Sequence, residues 1–281
     1  MALDTSAYVG EIKSWQTEMD DRLRSPDGWL TLVGLDWLDK GDNTIGSGPE
    51  NKIVLPPGAA PEKVGKLILE EGQVTFEAEE GVDASLNSEP ITKHVLESDI
   101  NRNPDIVFVG DINFQVIVRG NRVGVRSKQT NSPQRENFPG RSWWLIDKDF
   151  RMNAEIIPYE PQKMVPIPDI LGDIQETAMD CQLKFTFQKQ QYTLDAFALP
   201  SGQYYILFHD LSCGKGSYPS GRFLVSEYPE DERVVVDFNK AHNPPCAFTP
   251  YATCPLPPKE NHLSLVIQAG ERYTELPGHG Q

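Results

Sequence analysis

The sequence has few positive charges, few cysteines and no long apolar run. It holds 26 Lys+Arg against 41 Asp+Glu in 281 residues, a formal net charge of -15. Nucleic acids and anionic membrane surfaces attract basic proteins, so this charge argues against both as partners of the whole chain. No run approaches the roughly 20 apolar residues of a membrane span, and the first residues lack the basic and apolar regions of a signal peptide. We therefore expect a cytoplasmic protein that binds neither nucleic acid nor membrane.

The cysteine content also limits the chemistry. The four cysteines, Cys181, Cys213, Cys246 and Cys254, are few for a disulfide framework and would be reduced in the cytoplasm. A zinc site needs four ligands, and the spacing between Cys246 and Cys254 is longer than that of a zinc knuckle. No glycine-rich phosphate-binding motif occurs. The sequence therefore predicts no bound metal and no cofactor.

The hydrophobic pattern predicts one helix followed by many short strands. Apolar residues recur at helical spacing near the start and end at Pro26: Tyr8, Ile12, Trp15, Met19 and Leu23. After Pro26, short β-branched runs alternate with Gly, Pro and Asn, and the chain holds 22 Gly and 23 Pro. This pattern is typical of a mainly β protein. Further strands are expected at residues 152–157, 183–187, 191–198, 203–209, 222–227, 233–238 and 262–268.

Two proline-rich stretches interrupt the β pattern. The stretch 158–172 has no strong period and is interpreted as a linker or a long surface crossing at a domain boundary. The second stretch, 244–258, holds six prolines that keep the backbone extended and remove hydrogen-bond donors. It is expected to be a rigid irregular loop, and such loops on a β scaffold are where pockets are often built.

A basic segment stands out in this acidic chain. Residues 117–151 hold eight Lys or Arg against three Asp or Glu. Guanidinium groups bind carboxylates and phosphates through paired hydrogen bonds, so Arg126, Arg135 and Arg141 are candidates for holding a small anionic ligand. The alternative is that one strand face presents Arg122 and Arg126 to the carboxylates of the protein itself.

The loop at 244–258 and the preceding hairpin hold the candidate catalytic groups. Cys246 could act as a nucleophile if a base such as His209 or His242 formed its thiolate, with Asp210 or Asn243 orienting that base. The alternative is that Cys246 and Cys254 are small buried side chains that fill a corner. For Arg222 we expect an internal ion pair with Asp237 or Asp210, or contact with an acid on a ligand. The candidate catalytic residues are Cys246, Asp210 and Tyr218, and the candidate ligand-binding residues are Arg126, Arg135, Arg141, Arg222, Asn239 and Asn243.

Two resemblances follow from particular motifs. The segments GDNTIGS (residues 41–47) and NKIVLP (residues 51–56) resemble the opening of a forkhead-associated β-sandwich, a family that binds phosphothreonine through its loops. Ser47 stands where that family has a phosphate-contacting Arg, and the later Ser-x-x-His signature is absent from residues 60–66. The resemblance therefore implies the strand and turn pattern but not phosphopeptide binding.

The second resemblance covers most of the chain. GWLTLVGLDWLDKGDNTIGS, VIVRGNRVGVR, YPSGRFL and the pair NPPCAF with ATCPLPP resemble the microbial family catalogued as domain of unknown function 1684, over residues 15–272. That resemblance implies no activity, and Gln129 departs from the acid usual in the family. The positions that match its characteristic motifs are Asp210, Gly214, Tyr218, Gly221, Arg222, Asp237, Asn239, Asn243, Cys246, Tyr251, Cys254 and Asn261.

Together these observations predict a mainly β chain in three parts. We expect an N-terminal helix at residues 1–26, a forkhead-like β-sandwich at 27–110, and a larger antiparallel β sheet or barrel at 111–281, closed by the proline-rich loop. The first functional hypothesis is a pocket protein that binds a small anionic ligand and acts as a hydrolase or as another cofactor-independent enzyme. The second is a non-enzymatic module that binds a protein partner through the forkhead-like sandwich.

Overall fold

The computed structural model describes residues 4–101 and 103–275, which form two compact units. Among the described residues, the N-terminal sandwich spans 23–138, and the C-terminal unit consists of 4–22 and 139–275. The predicted mainly β chain with an N-terminal helix is confirmed. No helix among the described residues is long and apolar enough to cross a membrane.

The first helix, α1 (Thr5–Leu23), forms where the apolar spacing predicts it. The Asp4 carboxylate accepts a hydrogen bond of 2.9 Å from the Ser6 backbone N–H and so caps the first turn. Tyr8 and Ile12 on its apolar face are buried. The Tyr8 hydroxyl also donates to the Asp237 carboxylate at 2.8 Å, and this hydrogen bond holds α1 in place within the C-terminal unit.

The N-terminal sandwich has two sheets around one core. One sheet has the strand order β1-β11-β10-β9-β6-β7 and the other the order β3-β2-β4-β5-β8. Apolar side chains from both sheets form one cluster, in which the Phe76 and Phe114 rings meet edge to face at 5.4 Å. The strands are β1 (Leu32–Trp37), β2 (Gly41–Gly46), β3 (Ile53–Val54), β4 (Gly65–Glu70), β5 (Gln73–Ala78), β6 (Ser85–Leu86), β7 (Glu89–Pro90), β8 (Lys93–Leu96), β9 (Ile106–Val109), β10 (Ile112–Arg119) and β11 (Arg122–Gln129), followed by a short helix α2 (Pro133–Glu136).

The C-terminal unit is built on a six-stranded antiparallel sheet with the order β17-β16-β15-β14-β13-β18. Alternate side chains of these strands pack into a second core with Phe208, Phe238 and the apolar residues of the segment 263–269. The strands are β12 (Ser142–Trp143), β13 (Arg151–Pro168), β14 (Ile174–Phe187), β15 (Gln190–Ala198), β16 (Tyr204–Phe208), β17 (Arg222–Val225), β18 (Arg233–Asp237) and β19 (Glu271–Arg272), of which β12 and β19 pair separately.

The prediction of a linker at 158–172 is wrong. Residues 151–168 form the long strand β13, which pairs with β14 as far as Pro168. The strand tolerates its prolines because it pairs with β18 only over Arg151–Glu155, so the later prolines lie where β13 has a partner strand on one side. The pairing register also shifts between Pro158 and Lys163, which accommodates Pro161.

The prediction of a strand at 262–268 is also wrong. The segment carries only an isolated bridge between His262 and His209. Side chains satisfy part of its backbone instead, because Asp210 accepts from the Ile267 N–H and Arg222 donates to the Ile267 carbonyl. The loop at 244–258 is irregular as expected, apart from one 3-10 turn at Pro245–Ala247.

The division into units differs from the limits expected at residues 26 and 110. The expected limit at 110 falls between β9 and β10, which are hydrogen-bonded neighbours. Both β10 and β11 belong to the sheet that contains β1, so the sandwich extends through α2 to Phe138. The short turn between β9 and β10 at Gly110, which has a φ of 61°, is a hairpin turn within one domain.

Candidate functional site

Cys246 and Cys254 form a two-thiol cluster with Tyr218 in the C-terminal unit. The 3-10 turn at Pro245–Ala247 places the Cys246 backbone N–H 3.1 Å from the Cys254 Sγ. The Tyr218 hydroxyl, from the preceding hairpin, donates to the Cys246 carbonyl at 3.2 Å. Cys246 and Cys254 are 8% and 4% exposed. The proline-rich loop therefore brings together two thiols that lie eight positions apart in sequence.

The surroundings of Cys246 stabilise its thiolate. A hydrogen bond from the Cys254 thiol and another from the Tyr218 hydroxyl lower the pKa of Cys246, although burial acts in the opposite direction. Burial and the hydrogen bond to Cys246 raise the pKa of Tyr218, so this phenol stays protonated as a donor. A thiol with a lowered pKa is the more reactive nucleophile near neutral pH.

The two cysteines outside this cluster are less acidic. Burial raises the pKa of Cys181 to about 12 and that of Cys213 to about 11. Cys213 lies beside the Asp210 carboxylate, with its Sγ 3.5 Å from the Asp210 Oδ1. The structure thus separates Cys246 chemically from Cys181 and Cys213.

The histidines expected as bases contact other groups. The His242 ring packs against the Trp15 and Phe223 rings, and its Nδ1 is 3.3 Å from the Lys240 carbonyl. Burial, helped by the Arg141 charge, lowers the pKa of His242 to about 4. His209 stacks on His262 at 4.9 Å, and burial together with that neighbour lowers the pKa of His209. Among the described contacts, neither His209 nor His242 meets Cys246.

Arg141 and Asn243 do come together, at a buried carboxyl that the sequence analysis missed. The Arg141 Nη1 lies 2.5 Å from the Glu271 Oε2, and the Asn243 backbone N–H donates to the same oxygen at 2.8 Å. Burial raises the pKa of Glu271 from 4.5 to about 7 against the opposing effect of Arg141. The only sequence signal was an acid that ends an apolar stretch at residues 263–269. The Asn243 Oδ1 is buried and has no hydrogen-bond partner in the described part of the chain.

Asp210 and Arg222 form a fully buried ion pair, one of the two pairings expected for Arg222. The Arg222 Nη2 is 3.0 Å from the Asp210 Oδ1, and both side chains are 0% exposed. Burial raises the pKa of Asp210, but Arg222 and the Ser212 and Ile267 N–H groups outweigh that effect and leave it below its ordinary value. Arg222 also donates to the Ala269 and Ile267 carbonyls. These contacts hold the segment 263–269 against the hairpin before β17.

Asn239 acts in the attachment of the first helix. Its side-chain amide donates to the Tyr8 hydroxyl at 2.9 Å and to the Asp147 carbonyl at 2.8 Å. Its Oδ1 accepts from the Asp147 N–H at 2.9 Å. Asn239 is therefore a buried connector between the helix, the turn at Asp147 and the end of β18.

Arg126 and Arg135 belong to the N-terminal sandwich. The Arg126 guanidinium lies over the Trp29 ring at 5.5 Å and is mostly buried on β11. The Arg135 guanidinium donates to the Arg24 carbonyl at 2.7 Å and to the Thr130 carbonyl at 2.8 Å. The predicted set of site residues is thus divided between the two compact units.

Sequence reasoning also missed a polar network on the main sheet of the C-terminal unit. The buried Asp195 carboxylate accepts from the Tyr159 hydroxyl at 2.7 Å and from the Lys163 ammonium at 2.6 Å. Glu260, 4.0 Å from Lys163, lines a groove of about 230 Å³ that also includes His262. The available signal was an acid between two apolar residues, Leu194 and Ala196, in a predicted strand.

The fold and the site define a mainly β protein with a two-thiol cluster in its C-terminal unit. Residues 136–272 match the family described as "Protein of unknown function (DUF1684)", which confirms the predicted resemblance for that part of the chain. Residues 15–135, which the predicted resemblance also covered, lie outside the matched range. No curated protein matches the chain.

Three solved structures are similar to parts of the chain. The first is the solution NMR structure of the uncharacterized protein from gene locus rrnAC0354 of Haloarcula marismortui, 29% identical, covering 52% of this chain and 83% of that chain with a TM-score of 0.43. The second is the FhaA FHA domain complexed with the intracellular domain of Rv3910, 13% identical, covering 34% of this chain and 97% of that chain with a TM-score of 0.24. The third comes from an analysis of phosphothreonine-dependent FHA domain interactions, 15% identical, covering 35% of this chain and 97% of that chain with a TM-score of 0.25.

The segment that suggested a forkhead-associated sandwich uses its polar residues internally. The Asn51 amide donates to the Gly48 carbonyl at 2.8 Å and to the Glu62 carbonyl at 2.7 Å. The Ser47 hydroxyl donates to the Ala60 carbonyl at 2.9 Å. These bonds hold the loop between β2 and β3, which is the strand and turn role that the resemblance implied for this segment.

Proposed function

We propose that the C-terminal unit is a cofactor-independent, thiol-dependent enzyme that acts on a small ligand, with the Cys246 sulfur as its nucleophile. The observation that carries the proposal is the packing of two side chains against Cys246: the Cys254 sulfur accepts from the Cys246 N–H at 3.1 Å, and the Tyr218 hydroxyl donates to the Cys246 carbonyl at 3.2 Å. Hydrogen bonding from these two side chains lowers the pKa of Cys246 and so favours the negative charge that a nucleophilic thiol must carry. This chemistry needs a reduced thiol, the state that the cytoplasmic location expected from the sequence would maintain.

Hydrolysis is the reaction that the sequence suggested for such a nucleophile. A cysteine hydrolase usually pairs its thiol with a histidine base. Because His209 and His242 contact other groups, the thiolate at Cys246 is favoured here by hydrogen bonds rather than by a histidine. Asp210, the expected orienting acid, is held by Arg222. The arrangement therefore favours thiol chemistry that proceeds without a histidine relay.

Arg141 is the residue that would bind the negative charge of the ligand. Its guanidinium lies over the Phe248 ring at 4.7 Å, and Phe248 is part of the same loop as Cys246. Glu271 balances this charge when it is ionised, and a carboxyl with a pKa of about 7 is only half ionised at that pH. Arg141 is thus the predicted ligand-binding arginine that best supports an anionic ligand for the C-terminal unit.

Site-resolved alkylation of the whole protein tests the proposal. We expect iodoacetamide near neutral pH to label Cys246 at least about tenfold faster than Cys181 or Cys213, because the pKa of Cys246 is lowered whereas burial raises the pKa of the other two. Peptide mass spectrometry of a time course measures each rate. Equal alkylation rates at the three cysteines would contradict the proposed role of Cys246 as the nucleophile.

The negatively charged reagent iodoacetate tests the ligand charge in the same samples. Its rate relative to iodoacetamide is expected to be higher at Cys246 than at the thiol of free glutathione, which serves as the reference. Arg141→Gln should lower this ratio while leaving the iodoacetamide rate nearly unchanged. A ratio at Cys246 no higher than that of glutathione would contradict an anionic ligand.

The second candidate function is a protein-interaction module in the N-terminal sandwich. The observation that favours it is β3, a strand at the edge of its sheet whose Val54 side chain is exposed. An edge strand offers backbone groups to a strand of a partner protein. Under this proposal Ser47→Glu, which breaks the bond to the Ala60 carbonyl beside β3, abolishes partner capture in a pull-down and leaves Cys246 alkylation unchanged. Retention of every partner by this variant would count against the module.

A further inference from the structure

We propose that Cys246 and Cys254 form a dithiol that reduces hydroperoxides and closes an intramolecular disulfide in doing so. This inference rests on the proposed role of Cys246 as the nucleophile and adds a substrate class and a second reacting residue. Its basis is the contact of the Cys254 sulfur with the Cys246 backbone N–H at 3.1 Å, which places the two cysteines side by side in one loop.

The contact between the two cysteines is maintained by the loop. The Cys246 N–H donates to the Cys254 Sγ at 3.1 Å, and hydrogen bonding with the Cys254 side chain lowers the pKa of Cys246. The Phe248 and Thr249 N–H groups bond back to the Pro245 carbonyl, which tightens the turn after Cys246. The two sulfurs therefore need only a local movement to reach the roughly 2.05 Å of a disulfide bond.

The first step oxidises Cys246. Its thiolate attacks one oxygen of hydrogen peroxide, so an S–O bond forms while the O–O bond breaks. The departing hydroxide takes a proton from solvent and leaves as water. The sulfur loses two electrons to the peroxide and becomes a sulfenic acid. The Tyr218 hydroxyl lies 3.2 Å from the Cys246 carbonyl and stays protonated, so it can turn to donate a hydrogen bond to the departing oxygen.

The second step uses Cys254 as the resolving thiol. Its sulfur attacks the sulfenic sulfur of Cys246, so an S–S bond forms and the S–O bond breaks. The departing hydroxide combines with the proton of the Cys254 thiol as a second water molecule. The sum is two thiols and one peroxide converted into one disulfide and two waters. An external dithiol restores the reduced pair by exchange.

The burial of the pair favours a small oxidant over a bulky substrate. Cys246 and Cys254 are 8% and 4% exposed, so a reagent close to water in size has the best access. Peroxide reduction also needs a thiolate and a nearby second thiol but no histidine base, which agrees with the contacts of His209 and His242.

The test treats the reduced full-length protein with one equivalent of hydrogen peroxide near neutral pH. We expect two of the four thiols to disappear, the intact mass to fall by two hydrogen atoms, and peptide mapping to find Cys246 linked to Cys254. Dithiothreitol should restore all thiols. A disulfide that instead involves Cys181 or Cys213 would overturn the inference.

Two variants separate this inference from the proposal beneath it. Cys254→Ser keeps a hydroxyl donor beside Cys246 and should accumulate a sulfenic acid, trapped by dimedone, with the disulfide yield reduced from nearly complete to none. Cys213→Ser is the matched control and should leave that yield unchanged. Absence of the disulfide in a wild-type protein whose Cys246 is alkylated fastest overturns the dithiol alone. If the wild-type protein forms no disulfide and Cys246 is also not alkylated fastest, the proposed role of Cys246 as the nucleophile is overturned as well.

Discussion

Replacing Arg222 with Met is expected to lower the free energy of unfolding of the C-terminal unit by about 3–5 kcal/mol. The guanidinium is 0% exposed and pairs with an equally buried carboxylate on Asp210. Without the Arg222 guanidinium, the Asp210 carboxylate stays buried and loses its positive partner. It keeps its hydrogen bonds from the Ser212 and Ile267 N–H groups. The substitution also removes the donors to the Ile267 and Ala269 carbonyls. Urea denaturation of both proteins measures the difference.

The surface offers a matched control for this substitution. Arg22 and Glu18 lie 3.8 Å apart with both side chains more than half exposed, and an exposed pair contributes little. Arg22→Met should therefore change the unfolding free energy by no more than about 0.5 kcal/mol. Adding Asp210→Asn to Arg222→Met should recover part of the loss, because it removes the uncompensated charge. A loss below about 1 kcal/mol for Arg222→Met would show that the buried pair does not hold the segment 263–269 in place.

Glu271→Gln is expected to change how stability depends on pH. The native pKa of Glu271 is about 7, above its ordinary value of 4.5, so the native state binds more protons than the unfolded state between these values. The free energy of unfolding contributed by Glu271 therefore falls as pH rises through this window. Glutamine does not titrate, so the variant should gain on the order of 3 kcal/mol relative to the wild type between pH 4.5 and 7.

His242 produces the opposite slope in the same region. Its native pKa is about 4, below the ordinary 6.5, so the native state binds fewer protons and stability rises with pH between these values. Arg141 faces both groups, while Asp20 acts on Glu271 and both Arg22 and Arg222 act on His242. In the wild type the two slopes oppose each other, and Glu271→Gln should expose the His242 slope alone.

Unfolding measured in urea at several pH values between 4.5 and 8 tests this account for both proteins. The two curves of stability against pH should separate as pH rises towards 7 and run parallel above it. Curves that stay parallel throughout would contradict a raised native pKa for Glu271.

Much of the fold could be predicted because local pattern decides it. The helical spacing of Tyr8, Ile12 and Trp15 specified α1, and β-branched runs located most strands. The stretch 158–168 could not be recognised as a strand from its sequence. A strand accepts prolines only where it has a neighbouring strand on one side and none on the other, as β13 has beyond Glu155. That condition depends on where β18 ends, which is a tertiary fact.

The sequence predicted which residues belong to the candidate site better than it predicted how they contact one another. Cys246, Tyr218 and the Arg222–Asp210 pair were all singled out, since cysteines and buried charges are rare. The direct contact of Cys254 with Cys246 depends on the path of an irregular loop, which carries no periodic signal. Glu271 escaped notice because its raised pKa comes from burial, which the sequence does not record for a single acid near the end of the described chain.

The pH dependence of alkylation measures directly whether Tyr218 and Cys254 make the Cys246 thiol acidic and reactive. We predict an inflection in the rate below the ordinary thiol pKa of 9.0, and an inflection at higher pH in Tyr218→Phe, which lacks the hydroxyl that lowers the pKa of Cys246. An inflection at or above 9.0 that Tyr218→Phe leaves unchanged would contradict the account.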